Sequence, residues 1–340
     1  MGLIGLLAAM AEIEVPSLNI IGKALEFING WAGNICWTMA LFTILLKLVT
    51  LPLDYMSRKS MKKNQLIQKS LEGELAKLEK QCRGDKALYN QKMMARMKKE
   101  GYSMSGACLP SIITLVLFIF IFNSLNTFST STTAKTYNAM VLTYNESVVE
   151  LGEYKDNKAV IDERLVETYK ENNPSWLWVK NPMRPDTWKN AIPTYDEITK
   201  GGIGLKGLEL SKGTDSVTAE ANYEVLMGAI AAEYNSTRWG WNGLVILPIL
   251  AMLTSFLSQR IMSKSQPQMD GAGGGSSMKM MMYLFPILMV VFSVQYTSSF
   301  AVYIVANSLF TLVSTLLINM YVEKTVAREF EAKSKPSYRR

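Results

Sequence analysis

Residues 37–63 read WTMALFTILLKLVTLPLDYMSRKSMKK: an apolar run carrying one lysine, Lys47, then Pro52 and a basic helical segment. A charge near the centre of a bilayer costs about 2.5–3.5 kcal/mol on insertion scales, so an ionisable residue inside a spanning helix marks a functional position. Cys36, Thr43, Lys47 and Thr50 recur at spacings that put them on one helical face. Lys47 lies about six residues from the cytoplasmic end of the run, roughly 9 Å by helix rise. A lysine can snorkel across much of that distance, so a groove wall and a snorkelling side chain both fit its position.

Working outward, apolar residues make up 49% of the chain and gather into long blocks, which points to a polytopic membrane protein. Spans are predicted at 33–53, 105–127, 241–262, 278–296 and 299–322, each long enough to cross. Among their charges Lys47 alone lies well inside. Residues 54–104 hold 13 Lys/Arg against 6 Asp/Glu, residues 128–238 hold 12 against 16, and the tail from Glu323 holds 6 against 3. The asymmetry places the first loop and the tail in the cytoplasm and the second loop outside, with the N-terminus outside as well. The fold class is therefore all-α: five transmembrane helices, a cytoplasmic antiparallel helical hairpin and a long extracytoplasmic loop.

The net charge of +7 is a topology signal, since no basic block is interleaved with aromatic residues for base stacking. Cys36, Cys82 and Cys108 lie in or beside cytoplasmic or membrane segments, so no disulfide framework is implied. The absence of histidine removes the commonest general base and metal ligand, and neither catalysis, a metal nor a cofactor is expected.

Residues 1–32 form an extracytoplasmic N-terminal segment. Its first ten residues are apolar without a positive n-region and read as the remnant of a leader or as a surface segment. Leu18, Ile21, Leu25 and Ile28 then mark an amphipathic helix, lying in the outer interface or packed on the bundle. In 54–104, an apolar stripe with Leu71 and Leu78, the turn at Gly84, and a second stripe with Met93 and Met97 predict the hairpin. Its methionines, with Met61, suit varied apolar partners, or they hold the hairpin together. The loop 128–240 is long enough for a small folded cap, yet its apolar content looks thin for an independent core. Two sequons, at Asn145 and Asn235, match the glycosylation pattern. A Gly-rich linker occupies 263–277 and a basic tail 323–340.

Once each span is oriented, small hydroxyl residues concentrate in the inner halves: Thr43, Thr50, Ser111, Thr114, Thr254, Ser258, Thr311 and Ser314, with Asn307 on the Thr311 face. Singly, such residues hydrogen-bond helices together. Together with a lysine they predict a wet cavity open to the cytoplasm and closed outside.

These residues resemble the YidC/Oxa/Alb family of membrane protein insertases. The resemblance is carried by Leu45 to Leu53 leading into Ser60 to Lys63, the hairpin, Gly106 to Pro110, Trp176 to Lys180, and Met280 to Pro286 through Tyr303 to Leu309. It implies a hydrophilic groove open to cytoplasm and lipid, and a hairpin at the membrane that recruits substrate. It implies as partners nascent membrane proteins, the ribosome at hairpin, linker and tail, a Sec translocon with targeting factors, and membrane lipids, without direct sequence-specific nucleic acid binding. The implied setting is the plasma membrane of a bacterium. Three positions depart from the family pattern. Lys47 stands where the family has an arginine, which keeps the charge but loses the bidentate fork. Thr114 replaces a usual glutamine, and Ile304 a usual tryptophan. The outer loop is also much longer than the family's. The expected function is insertion of short polar flanks through the groove with lateral release of apolar helices. The rival readings are a small-solute transporter or channel, tested by solute flux, and an assembly chaperone without insertase activity.

Overall fold

The computed structural model describes residues 10–82, 84–202, 205–235, 240–264, 284, 287 and 291–334, with side chains left aside at 104–112, 114, 115, 205, 263, 264 and 330–334. The elements are α1 (Ile20–Ala32), α2 (Ile35–Gln81), α3 (Lys86–Lys99), α4 (Met104–Leu151), α5 (Lys158–Asn172), α6 (Tyr195–Lys200), β1 (Gly201–Gly202), β2 (Leu205–Lys206), α7 (Ser216–Asn235), α8 (Ile246–Lys264) and α9 (Ser298–Ser334). Helices α2 and α9 are long and apolar enough to cross a bilayer, and α8 is a shorter apolar helix. The span expected at 105–127 lies within α4. The expected linker at 263–277 begins inside α8, which runs to Lys264; its residues 265–277, most of the span at 278–296 and the tail end at 335–340 lie outside the described residues. Apolar side chains stay exposed along α2 (Leu45, Leu48, Val49), α8 (Leu253, Phe256) and α9 (Val313, Leu317, Met320), as suits helices solvated by lipid.

The chain divides into two compact units. The first holds residues 1–43, 120–251 and 290–305. Here the expectation of a thin core is overturned: sixteen buried residues form one cluster. Four are tyrosines, Tyr137, Tyr144, Tyr169 and Tyr223, and Met10 joins from the N-terminal segment. Aromatic side chains bury large areas, so a loop poor in aliphatics still builds a core once its tyrosines turn inward. They do so because α4 places Ala134, Tyr137, Val141 and Tyr144 on one face, α5 repeats Ile161, Leu165 and Tyr169, and α7 repeats Tyr223, Leu226 and Ile230. A fully buried side chain of this size contributes about 1.5–3 kcal/mol.

The N-terminal segment is strapped along α4 by two asparagines two turns apart. The Asn138 amide accepts from Ile13 N and donates to Ile13 O, both at 2.8 Å, and Asn145 repeats the pattern with Met10 N (2.8 Å) and Met10 O (2.9 Å). The sequon asparagine at 145 is thus engaged with backbone. Helix α1 begins at an Asn19 cap bonded to Gly22 N and ends at Gly33 in the left-handed region. It buries Leu25 against protein and turns Ile20, Phe27 and Trp31 outward, so it packs and presents an apolar face at once.

The second unit holds residues 44–119, 252–289 and 306–340. Its hairpin closes over Ile67, Leu71, Leu75, Met93, Met97 and Tyr102. Asn64 fastens the base, donating to Ser103 O at 2.8 Å and accepting from Ser103 N at 3.0 Å. Leu51, Tyr55 and Leu66 of α2 pack on Ile318, Val322 and Val326 of α9.

Candidate functional site

Helix α2 runs unbroken past Pro52, which lacks the N–H that would bond back one turn but does not end the helix here. Continuity fixes register: Lys47, Asp54 and Arg58 follow at steps of seven and four, so the three charges share one face of α2. Lys47 and Asp54 are half-buried, whereas Arg58 is 8% exposed. Arg58 Nη2 donates to Thr315 Oγ1 on α9 at 2.5 Å, and that hydroxyl donates in turn to Thr311 O. Arg58 Nε and Thr311 Oγ1 are buried and unbonded among the described residues. Burial pulls the guanidinium below its ordinary value, and the Asp54 carboxylate opposes the shift. The sequence places Arg58 in the basic helical segment after Pro52, and the structure buries it. Its three-turn spacing from Lys47 was the available signal.

The other predicted residues divide by what they touch. In the second unit Thr50 donates to Lys47 O at 3.3 Å, and buried Ser314 donates to Thr311 O at 3.2 Å. Ser258 donates to Ser308 O at 2.9 Å, and Ser255 bonds Ser308 Oγ at 3.0 Å, so these hydroxyls join α8 to α9. Thr254 and Asn307 are half-buried. Thr43 is buried, belongs to the first unit and donates to Met39 O at 2.6 Å. The side chains of Ser111 and Thr114 lie outside the described residues. On the hairpin, Leu71, Met93 and Met97 are committed to its own core, and Leu78 packs against that core. Met61 stays half-buried, with Ser57 Oγ 3.8 Å from its sulfur. What the hairpin leaves exposed is therefore its outer faces.

Residues 27–325 match the model of the family described as "60Kd inner membrane protein". The chain is similar to "Membrane protein insertase YidC" of Polynucleobacter asymbioticus, 36% identical over 106 residues, which are 30% of this chain and 18% of that protein. It is similar to the protein of that name from Dechloromonas aromatica, 38% identical over 96 residues (28% and 17%), and to that of Rickettsia felis, 33% over 102 residues (30% and 18%). The matched stretch thus spans less than a fifth of each relative.

Proposed function

Because this chain belongs to the 60Kd inner membrane protein family, whose model covers residues 27–325, we propose that it is a membrane protein insertase of a bacterial plasma membrane. The barrier to insertion is desolvation of a polar flank across about 30 Å of hydrocarbon. A groove in the cytoplasmic leaflet shortens that path. The single observation that carries this reading is the charged face of α2, where a half-buried lysine and a buried arginine sit on a helix otherwise apolar enough to span.

Lys47 attracts acidic residues of the incoming flank, an interaction strengthened where the effective dielectric is low. Thr50 and Thr311, with Ser111 and Thr114, offer hydroxyls to the flank while the client's apolar helix leaves into lipid, driven by the hydrophobic effect. The basic hairpin and tail receive the ribosome. The deciding measurement is insertion of a client with an acidic flank into liposomes holding the purified protein. Lys47→Glu should abolish insertion and Lys47→Arg retain it; equal activity of the two variants removes the electrostatic step.

A further inference from the structure

The first unit contains a cavity of about 740 Å³, bordered by α4, α5, α7, the loop around Arg184 and strand β1. That volume is in the range of sites that enclose small organic ligands or a few residues of peptide. Its walls carry the hydroxyl-bearing rings of Tyr137, Tyr169 and Tyr223, the amide of Asn173, and Trp188 with Lys189. Trp188 is 65% exposed, so ring and neighbouring cation stand at an open edge. Inside, Arg184 pairs with Glu197 at 2.9 Å, and Lys189 adds a second positive charge to the lining.

Three features select the occupant. Rigid tyrosine and tryptophan surfaces interleaved with asparagine, threonine and glycine are the composition by which proteins bind peptides, since they give large contact area at small entropic cost and adaptable hydrogen bonds. Among the described residues the sheet has two strands, so Gly201–Gly202, on the cavity wall, has a strand on one side only and offers its other edge to an extended chain. Thr187 borders the same space, and its Oγ1 is buried and unbonded among the described residues. An acyl chain would give the backbone edge of β1 and the Lys189 ammonium no partner. We propose that this cavity is a receptor for a short extended peptide that carries an aromatic and an acidic side chain. On the insertase reading, from which the source of the peptide follows, that peptide is the flank of a client after it has crossed. Tyr137 is held protonated throughout the physiological range, its hydroxyl pushed up to about 12 by burial, so it can donate to a peptide carbonyl.

The test uses the full chain in lipid nanodiscs and a fluorescein-labelled peptide with a central Phe between Asp residues, read by anisotropy. A Cβ at Gly202 would meet nothing within 4 Å, so Gly202→Trp can place an indole at the cavity wall. Gly202→Trp is expected to weaken binding at least tenfold at an unchanged unfolding temperature. Lys189→Glu, at an exposed position, is expected to weaken the acidic peptide severalfold and to favour its Lys-for-Asp counterpart. Wild-type affinity in both variants overturns the proposal, as does native mass spectrometry showing a lipid bound to wild type and absent from Gly202→Trp. Insertion into liposomes, measured on the same preparation, reads the insertase activity separately.

Discussion

Asp186 in the first unit and Arg58 in the second are both buried charges, and they are treated in opposite ways. Asp186 is fully buried, and its two oxygens accept three donors: Val245 N at 3.0 Å, Leu247 N at 2.7 Å and Trp178 Nε1 at 3.1 Å. Val245 and Leu247 flank the start of α8, so the carboxylate also meets the positive end of the helix dipole. Its neighbour Asn242 is as completely used, accepting from Asn181 N and donating to three carbonyls. Gly243 is obligatory beside them, because a Cβ there would lie 1.9 Å from Asp186 Oδ1. Arg58 has one hydroxyl partner and an unbonded Nε among the described residues. A buried polar group with all its partners specifies structure, whereas one with partners to spare is poised for something that arrives later.

Asp186→Ala tests the first half of that comparison and should have the largest effect. It strands three donors in a dry site, and the loss is on the order of 3–5 kcal/mol. The unfolding temperature in detergent should fall steeply, and a variant as stable as wild type would show that the network is dispensable. The strap is a smaller version of the same device. Replacing Asn138 and Asn145 together by Ala removes four bonds to backbone at the edge of the core. The expected cost is about 2–3 kcal/mol, with hydrogen exchange at Met10 and Ile13 rising before any other part of the unit opens.

The sequence carried the two long apolar helices α2 and α9 and the hairpin because their signals are local. An unbroken apolar run must be solvated by lipid or core, and a stripe at helical spacing must find a second stripe. Boundaries were less legible. Helix α2 passes Pro52, and α4 runs through Asn123 and Asn126 and past residue 128 without a break, so the outer segment begins as a continuation of α4. The core of the first unit was hidden in its tyrosines, whose burial depends on three helices far apart in the chain. The burial of Arg58 was hidden for the same reason: its partner Thr315 lies 257 positions away. Of the predicted hydroxyls, Ser258 joins α8 to α9, Thr50 and Ser314 each donate to a carbonyl of their own helix, and Thr311 Oγ1 is unbonded among the described residues. Spacing alone cannot separate those two fates, because a hydroxyl that binds a carbonyl and one that lines a groove occupy the same helical positions.

Arg58→Met is the sharpest discriminator and has the smallest expected effect on stability. Replacing an incompletely paired buried cation by an apolar side chain of similar length removes a desolvation cost along with one hydrogen bond, so the change should stay within about 1 kcal/mol of zero. If the arginine is there for structure, as Asp186 is, the variant will instead unfold at a clearly lower temperature. If it extends the positive face of Lys47 toward the cytoplasm, stability will hold while insertion of acidic-flank clients slows and insertion of neutral-flank clients does not. Arg58→Lys separates charge from geometry. An ammonium keeps the attraction but gives up the planar fork that meets Thr315, so partial retention of insertion assigns the role to charge, and complete loss assigns it to the fork.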